Sequence, residues 1–183
     1  MNLEGMKAEV YKWAHTKGWE PDPNRTLADE CALLHSEISE ALEAYREWKL
    51  HDPTESSHTA SNDASLPPGP PKPLGVGSEM ADVLIRLLHY SASGRFHLIE
   101  IDNTEHSDLH TTFGAWIANM HLAVSLAYYD HLLGSSTVLS HMSYLLRTIR
   151  RFCDTHGIDL QFEYRRKMDY NMSRTYRHGG KAM

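Results

Sequence analysis

Residues 33–44, LLHSEISEALEA, and residues 78–88, SEMADVLIRLL, decide the fold of this chain. Each stretch has the apolar spacing of an amphipathic helix. Each also carries two acids three residues apart, Glu37 with Glu40 in the first and Glu79 with Asp82 in the second. Residues at positions i and i+3 share one face of a helix, so each helix presents two carboxylates side by side. Two such helices packed together would bring four carboxylates into one partly buried place.

Four clustered carboxylates favour a metal site. Each pair about 5 Å apart costs roughly 3 kcal/mol of repulsion at an effective dielectric of about 20. A hard divalent cation removes this cost, and Mg²⁺ prefers oxygen ligands together with water and phosphate. The alternative for each pair taken separately is a solvated helix face, which fits Glu43 and Glu47 better. Apolar neighbours such as Leu34, Ile38 and Leu84 favour the metal site instead.

Length and composition limit the possible classes of protein. The 183 residues suit a single domain over 1–183, and a net charge of −6 argues against stable nucleic-acid binding. No apolar run approaches the about 18 residues of a membrane span, and the N-terminus lacks a signal-peptide pattern. Cys31 and Cys153 lie in helical apolar patterns, which predicts buried free thiols and a cytoplasmic protein. The spacing of His and Cys does not indicate a zinc site.

Hydrophobic periodicity predicts an all-α protein, a bundle of about six helices. Thr26, Ser78 and Asp159 are the predicted N-caps of the second, third and last helices. The predicted helices cover about residues 3–17, 26–50, 78–93, 112–133, 137–156 and 160–175.

Two segments interrupt this pattern. Residues 51–76 are rich in Pro, Ser, Gly and Asp and predict a long flexible loop. Residues 95–111 predict an irregular insertion. The Pro-rich part of the loop is also compatible with a polyproline ligand for an SH3-like partner. A non-catalytic helical interaction module that uses this loop is therefore one alternative function.

The last predicted helix carries a pattern suited to anions. Lys167, Asn171 and Arg174 lie at i, i+4 and i+7 and share one helix face, and Arg177 and Lys181 follow. An ammonium, an amide and a bidentate guanidinium together suit a polyphosphate. The alternative is a solvated basic helix end, because cations are favoured near a helix C-terminus.

Together, these motifs resemble those of the MazG-like all-α nucleoside triphosphate pyrophosphohydrolases. The resemblance rests on LLHSEISEALEA, on SEMADVLIRLL and on KMDYNMSRTYRHGGK at residues 167–181. It implies Mg²⁺-dependent hydrolysis of a (deoxy)nucleoside triphosphate to the monophosphate and pyrophosphate, with Mn²⁺ as a possible substitute. It also implies a homodimer or homotetramer. The long 51–76 segment and the 112–133 helix depart from the family pattern.

The resemblance assigns roles to matched residues. The four paired acids Glu37, Glu40, Glu79 and Asp82 would hold the metal. Either of the first two would orient or deprotonate the attacking water. The basic residues of the C-terminal segment would bind phosphates, namely Lys167, Asn171, Arg174, Arg177 and Lys181. The nearby aromatics Trp19 and Trp48 are candidates for binding the base.

Two alternatives are enzymes. One is a relative with another substrate, such as a phosphoribosyl-ATP pyrophosphohydrolase. The other, a ferritin-like di-iron bundle, needs Glu-x-x-His on two helices. Position +3 after Glu37 and Glu79 is occupied by Glu and Asp, which disfavours the di-iron reading.

Overall fold

The computed structural model describes residues 1–19, 25–50, 70–94, 98 and 112–177, and this part of the chain is all-helical. Its six helices start and end within two or three residues of the predicted limits. They are α1 (Leu3–Thr16), α2 (Leu27–Trp48), α3 (Val76–Ala92), α4 (Phe113–Leu132), α5 (Val138–Thr155) and α6 (Leu160–Ser173).

Two of the three predicted N-caps are confirmed. The Thr26 hydroxyl accepts from the Asp29 backbone N–H while the Asp29 carboxylate accepts from the Thr26 N–H, a reciprocal capping box. The Asp159 carboxylate accepts from the backbone N–H of Phe162. The prediction for Ser78 is wrong. The N-cap of α3 is Gly75, whose φ of 93° suits a glycine.

Helix α3 is the centre of the bundle, because it packs against α1, α2, α5 and α6. It is apolar on most of its circumference, as expected of a helix surrounded by others. Met80, Leu84 and Leu87 are fully buried on it. Helix α4 packs against α2 and α5. The acid pairs of α2 and α3 therefore lie on two helices in direct contact.

The predicted 51–76 loop falls mostly outside the described residues, because 51–69 are not among them. Its last residues are structured: Pro73 is buried, and Val76 already belongs to α3. Of the predicted 95–111 insertion, only Leu98 is described. Within the described helices, none has the length and apolarity needed to cross a membrane. Cys31 and Cys153 are buried free thiols, as predicted.

Candidate active site

Three of the four predicted acidic ligands come together where α2 packs on α3. Glu37, Glu40 and Glu79 each offer a carboxylate oxygen within 4.8 Å of the other two. Glu37 and Glu79 are buried, whereas Glu40 is exposed. The cluster thus has two carboxylates inside the bundle and one at its surface.

The fourth acid, Asp82, forms an ion pair with Lys167 of α6. The Lys167 Nζ lies 2.6 Å from Asp82 Oδ2 and 3.8 Å from Glu79 Oε2. It also donates to Ser78 Oγ at 2.9 Å, and the Ser78 hydroxyl in turn donates to the Pro73 carbonyl at 3.1 Å. Lys167 is only 3% exposed. The structure thus places the predicted phosphate ligand Lys167 among the acids.

Burial and mutual repulsion shift the protonation of this cluster. Burial raises the pKa of Glu79 from 4.5 to about 7; Lys167 opposes this shift and Asp82 adds to it. Burial and then Asp82 also raise the pKa of Glu37. Burial by itself would lower the pKa of Lys167, but Asp82 and Glu79 outweigh it and raise that pKa. Burial is thus the main cause of both raised carboxyl pKa values, and Lys167 offsets only part of the shift at Glu79.

Arg86 supplies a second internal cation. Its Nε and Nη2 both lie 3.0 Å from Glu37 Oε1, so the guanidinium holds one oxygen of that carboxylate. Arg86 lies one turn after Asp82 on α3, which places it on the same face. Glu37 is thereby fixed in orientation, and its second oxygen is not engaged by this pair.

A cavity of about 420 Å³ opens beside these groups, a volume typical of small-molecule sites. Glu37, Glu40 and Asp82 lie on its wall. Its positively charged lining residues are Arg25, Lys72, Arg86, Lys167 and Arg174. Acidic and basic groups thus line a single space.

The same cavity has an aromatic part. Trp13, Trp19 and Tyr170 line it together with Ile85 and His89. His89 Nε2 lies 3.1 Å from the Trp19 carbonyl, which accepts the hydrogen bond.

Burial lowers the pKa of His89 to about 4, so the ring is neutral at pH 7. His89 follows Asp82 by two turns, about 10 Å along α3. Of the two predicted base-binding residues, Trp19 lines the cavity, and Trp48 is not among its lining residues.

The predicted phosphate ligands are distributed unevenly. Asn171 and Arg174 line the cavity, and the Arg174 guanidinium lies 5.5 Å above the centre of the Tyr170 ring. Arg177 is packed against the end of α1. Its Nε donates to the Gly18 carbonyl at 3.1 Å, and its backbone N–H donates to the Lys17 carbonyl. Lys181 lies outside the described residues.

The acidic cluster suits a divalent cation on two grounds. Glu79 Oε2 is buried, and no hydrogen-bond donor reaches it from the described residues. Opposite ligands of Mg²⁺ lie about 4.1 Å apart, twice the usual Mg–O bond, so a 4.8 Å span closes with small side-chain movements. Glu37, Glu40 and Glu79 are the residues that would hold the ion, with Asp82 adjacent.

Sequence reasoning missed Arg86 and His89 as cavity residues. The sequence did contain a signal for these two residues, their spacing on α3. Glu79, Asp82, Arg86 and His89 occupy positions i, i+3, i+7 and i+10 of a helix that is otherwise mostly apolar. Polar residues at such positions mark one face. Arg25 and Lys72 gave no comparable signal, because each precedes a helix, outside any periodic pattern.

Comparison of the chain with protein-family models, with curated proteins and with solved structures gave no match.

Proposed function

We propose that this protein is a MazG-like pyrophosphohydrolase, which converts a (deoxy)nucleoside triphosphate into the monophosphate and pyrophosphate with the help of Mg²⁺. The observation that carries the proposal is the cavity lined by acids and cations together. A carboxylate cluster alone suits a metal ion, and a group of cations alone suits an anion. A metal-bound polyphosphate requires both.

The residues divide into three roles. Glu37, Glu40 and Glu79 hold the metal, with Asp82 available beside them. Mg²⁺, when bound, neutralises phosphate charge and makes a bound water more acidic. Glu40 is the carboxylate most open to solvent, so we assign it the orientation of the attacking water and the acceptance of its proton. Glu37 is less suited to this role, because Arg86 occupies one of its oxygens.

Arg174 and Asn171 bind the phosphates. The Arg174 guanidinium offers two parallel N–H donors to a phosphate, and its position over the Tyr170 ring restricts its orientation. Asn171 adds an uncharged donor from the preceding turn of α6. Transfer of the phosphoryl group to water requires mainly positioning and charge neutralisation, which these residues supply.

The aromatic part of the cavity suits the base. A flat heterocycle can stack on Trp19 or Trp13, and aromatic stacking contributes about 1–3 kcal/mol per base. The neutral His89 nearby adds no charge to this region.

The experiment that tests the proposal is a screen of all common nucleoside triphosphates, with phosphoribosyl-ATP included, for release of pyrophosphate. We expect turnover with Mg²⁺ or Mn²⁺ and none with EDTA. Glu40→Gln and Asp82→Asn should abolish turnover and leave the helix content unchanged. Glu47→Gln is the matched control, since Glu47 is an exposed glutamate of the same helix.

A second readout concerns binding alone. Mg²⁺ at about 100 times its dissociation constant should stabilise the fold by roughly 2.7 kcal/mol. A melting temperature unaffected by both Mg²⁺ and EDTA, together with no pyrophosphate from any substrate, would favour a non-catalytic interaction module.

A further inference from the structure

The chain immediately after α6 folds back onto the C-terminal end of α1. The backbone N–H of Arg177 donates to the Lys17 carbonyl at 2.9 Å, and its Nε donates to the Gly18 carbonyl at 3.1 Å. In the opposite direction, Lys17 Nζ donates to the Arg174 carbonyl at 2.6 Å. We call these three hydrogen bonds the α1–α6 clasp.

Two features of the backbone show that the local sequence is adapted to the α1–α6 clasp. Gly18 has a φ of 76°, a conformation that favours glycine, and a Cβ added there would overlap the Tyr176 ring. Arg177 has a φ of 45°, which is unfavourable for a residue with a side chain. Such a conformation persists only where the surroundings hold it, and the bonds to Lys17 and Gly18 do so here.

The α1–α6 clasp restrains the backbone beside two residues that line the cavity, Trp19 and Arg174. The Gly18 carbonyl belongs to the peptide group that precedes Trp19, and the bond from Lys17 ends on the carbonyl of Arg174 itself. Trp19 lies three residues after α1, and Arg174 is the C-cap of α6. Backbone beyond a helix end lacks intrahelical partners. The orientation of both side chains therefore depends on contacts of this kind.

The α1–α6 clasp also connects two walls of the cavity directly. In the part of the chain that the structure describes, α1 and α6 pack mainly against α3. A hydrogen bond of 2.9 Å from the Tyr164 hydroxyl to Glu9 joins the two helices as well. However, Glu9 lies about two turns before Lys17. At the end of α1 that carries Trp19, the clasp provides the connection.

These contacts give Arg177 a role other than phosphate binding. The resemblance assigns Arg177 to phosphate, yet it is not among the residues that line the cavity, and its Nε is bound to a backbone carbonyl. We propose that Arg177 and Lys17 are positioning residues, which hold Trp19 and Arg174 at the separation that one nucleotide requires. This inference rests on the proposed function, because it takes Trp19 as the contact for the base and Arg174 as the contact for the phosphates. A displacement of about 1 Å in such a site can lower a rate about a hundredfold.

The test examines the two ends of the nucleotide separately. Free nucleosides carry the base without phosphates, and inorganic triphosphate with Mg²⁺ carries the phosphates without a base. Each is measured as a competitive inhibitor of triphosphate hydrolysis. Arg177→Gln should weaken both inhibitors, each by about fivefold or more, because the clasp restrains Trp19 and Arg174 together.

The other outcomes are distinct. If Arg177 were itself a phosphate ligand, Arg177→Gln would weaken inorganic triphosphate alone, and if it were a solvated tail residue, neither inhibitor would change. Either result overturns the proposal, and so does a wild-type enzyme that no nucleoside inhibits. A wild-type protein that releases no pyrophosphate from any triphosphate would instead refute the proposed function, and this inference with it.

Two more variants divide the clasp into its parts. Arg177→Lys keeps a donor for the Gly18 carbonyl and should behave nearly as the wild type, whereas a bidentate phosphate contact would not tolerate lysine. Lys17→Met removes only the bond to the Arg174 carbonyl, so it should weaken inorganic triphosphate more than nucleosides. The reverse order for Lys17→Met would show that this bond does not position Arg174.

The controls remove the same charges elsewhere. Arg165→Gln and Lys12→Met alter exposed residues of α6 and α1, and both should match the wild type. The affinity for Mg²⁺ without nucleotide should be the same in all variants, because the clasp does not touch the acidic cluster. A loss of Mg²⁺ affinity in Arg177→Gln would point to general loosening of the fold and contradict a positioning role. Circular dichroism checks that each variant is folded.

Discussion

Replacing Lys167 with Met removes the cation that holds the acidic cluster together, while keeping a side chain of similar length. The Lys167 Nζ lies 2.6 Å from Asp82 and 3.8 Å from Glu79. At an effective dielectric of about 20, these distances correspond to roughly 6 and 4 kcal/mol of attraction before the cost of burial. After that cost, losing one partner of a buried pair destabilises a protein by about 3–5 kcal/mol. For a chain of this length, the expected fall in Tm is roughly 6–20 °C.

The assay is thermal and urea unfolding of the metal-free protein, with Lys7→Met as the control. Lys7 also lies 2.6 Å from a carboxylate, that of Glu4, but the Glu4 side chain is 78% exposed. The control should therefore lose less than about 1 kcal/mol. If both variants lost the same unfolding free energy, burial would not strengthen the ion pair between Lys167 and Asp82.

Two further results bear on the same reasoning. Adding Asp82→Asn to Lys167→Met should recover part of the lost stability, because it removes an acid without a partner. Mg²⁺ should raise the Tm of Lys167→Met more than that of the wild type, because Asp82 and Glu79 lose the ammonium group that lies next to them. If Mg²⁺ affects both proteins equally, Lys167 and the metal do not share these carboxylates.

The remaining predictions concern pH and phosphate binding. Because the pKa of Glu79 is raised from 4.5 to about 7, the folded protein keeps a proton that the unfolded chain has lost. The free energy of unfolding of the metal-free protein should therefore fall by roughly 3 kcal/mol as the pH rises from 4.5 to about 7. In urea unfolding, Glu79→Gln should remove this dependence of the unfolding free energy on pH. Arg174→Lys should lower kcat/KM by about tenfold to a hundredfold, since the bidentate fork is lost. Arg166→Lys is its control, because Arg166 also lies 5.5 Å above an aromatic ring, that of Phe162, but does not line the cavity. Normal kinetics for Arg174→Lys would place phosphate binding elsewhere.

The sequence predicted those features that depend on local spacing. The helices followed from apolar periodicity, and Thr26 and Asp159 were recognised as caps because capping acts within three or four residues. Ser78 shows the limit of this reasoning. A serine before a helical pattern is a reasonable cap, but here its hydroxyl lies between the Pro73 carbonyl and the Lys167 ammonium. Nothing near Ser78 in the sequence reveals the contact with Lys167, which is 89 residues away.

The same limit applied to the candidate site. The acid pairs were visible because each repeats at i and i+3 on one helix. The position of Lys167 depends on how α6 packs against α3, so sequence spacing placed it with Asn171 and Arg174 only. The exposure of large apolar side chains on α4, such as Leu122 and Leu132, was also missed. An apolar helix with little periodic contrast is consistent with full burial in one chain, and exposure appears only in the folded structure.

The balance of charge around the cavity argues that metal and polyphosphate bind together. Five lysine and arginine residues line it. Four acids face them when Glu79 is counted with Glu37, Glu40 and Asp82, and Arg25 is already paired with Glu30 at 3.2 Å, so the ionised site carries about no net charge. Mg²⁺ alone would raise this charge to about +2, and a triphosphate of about −4 alone would lower it to about −4. Both together leave about −2, so each ligand offsets part of the charge that the other introduces. Binding free energies that are coupled in this way are reciprocal, and each ligand should strengthen the binding of the other.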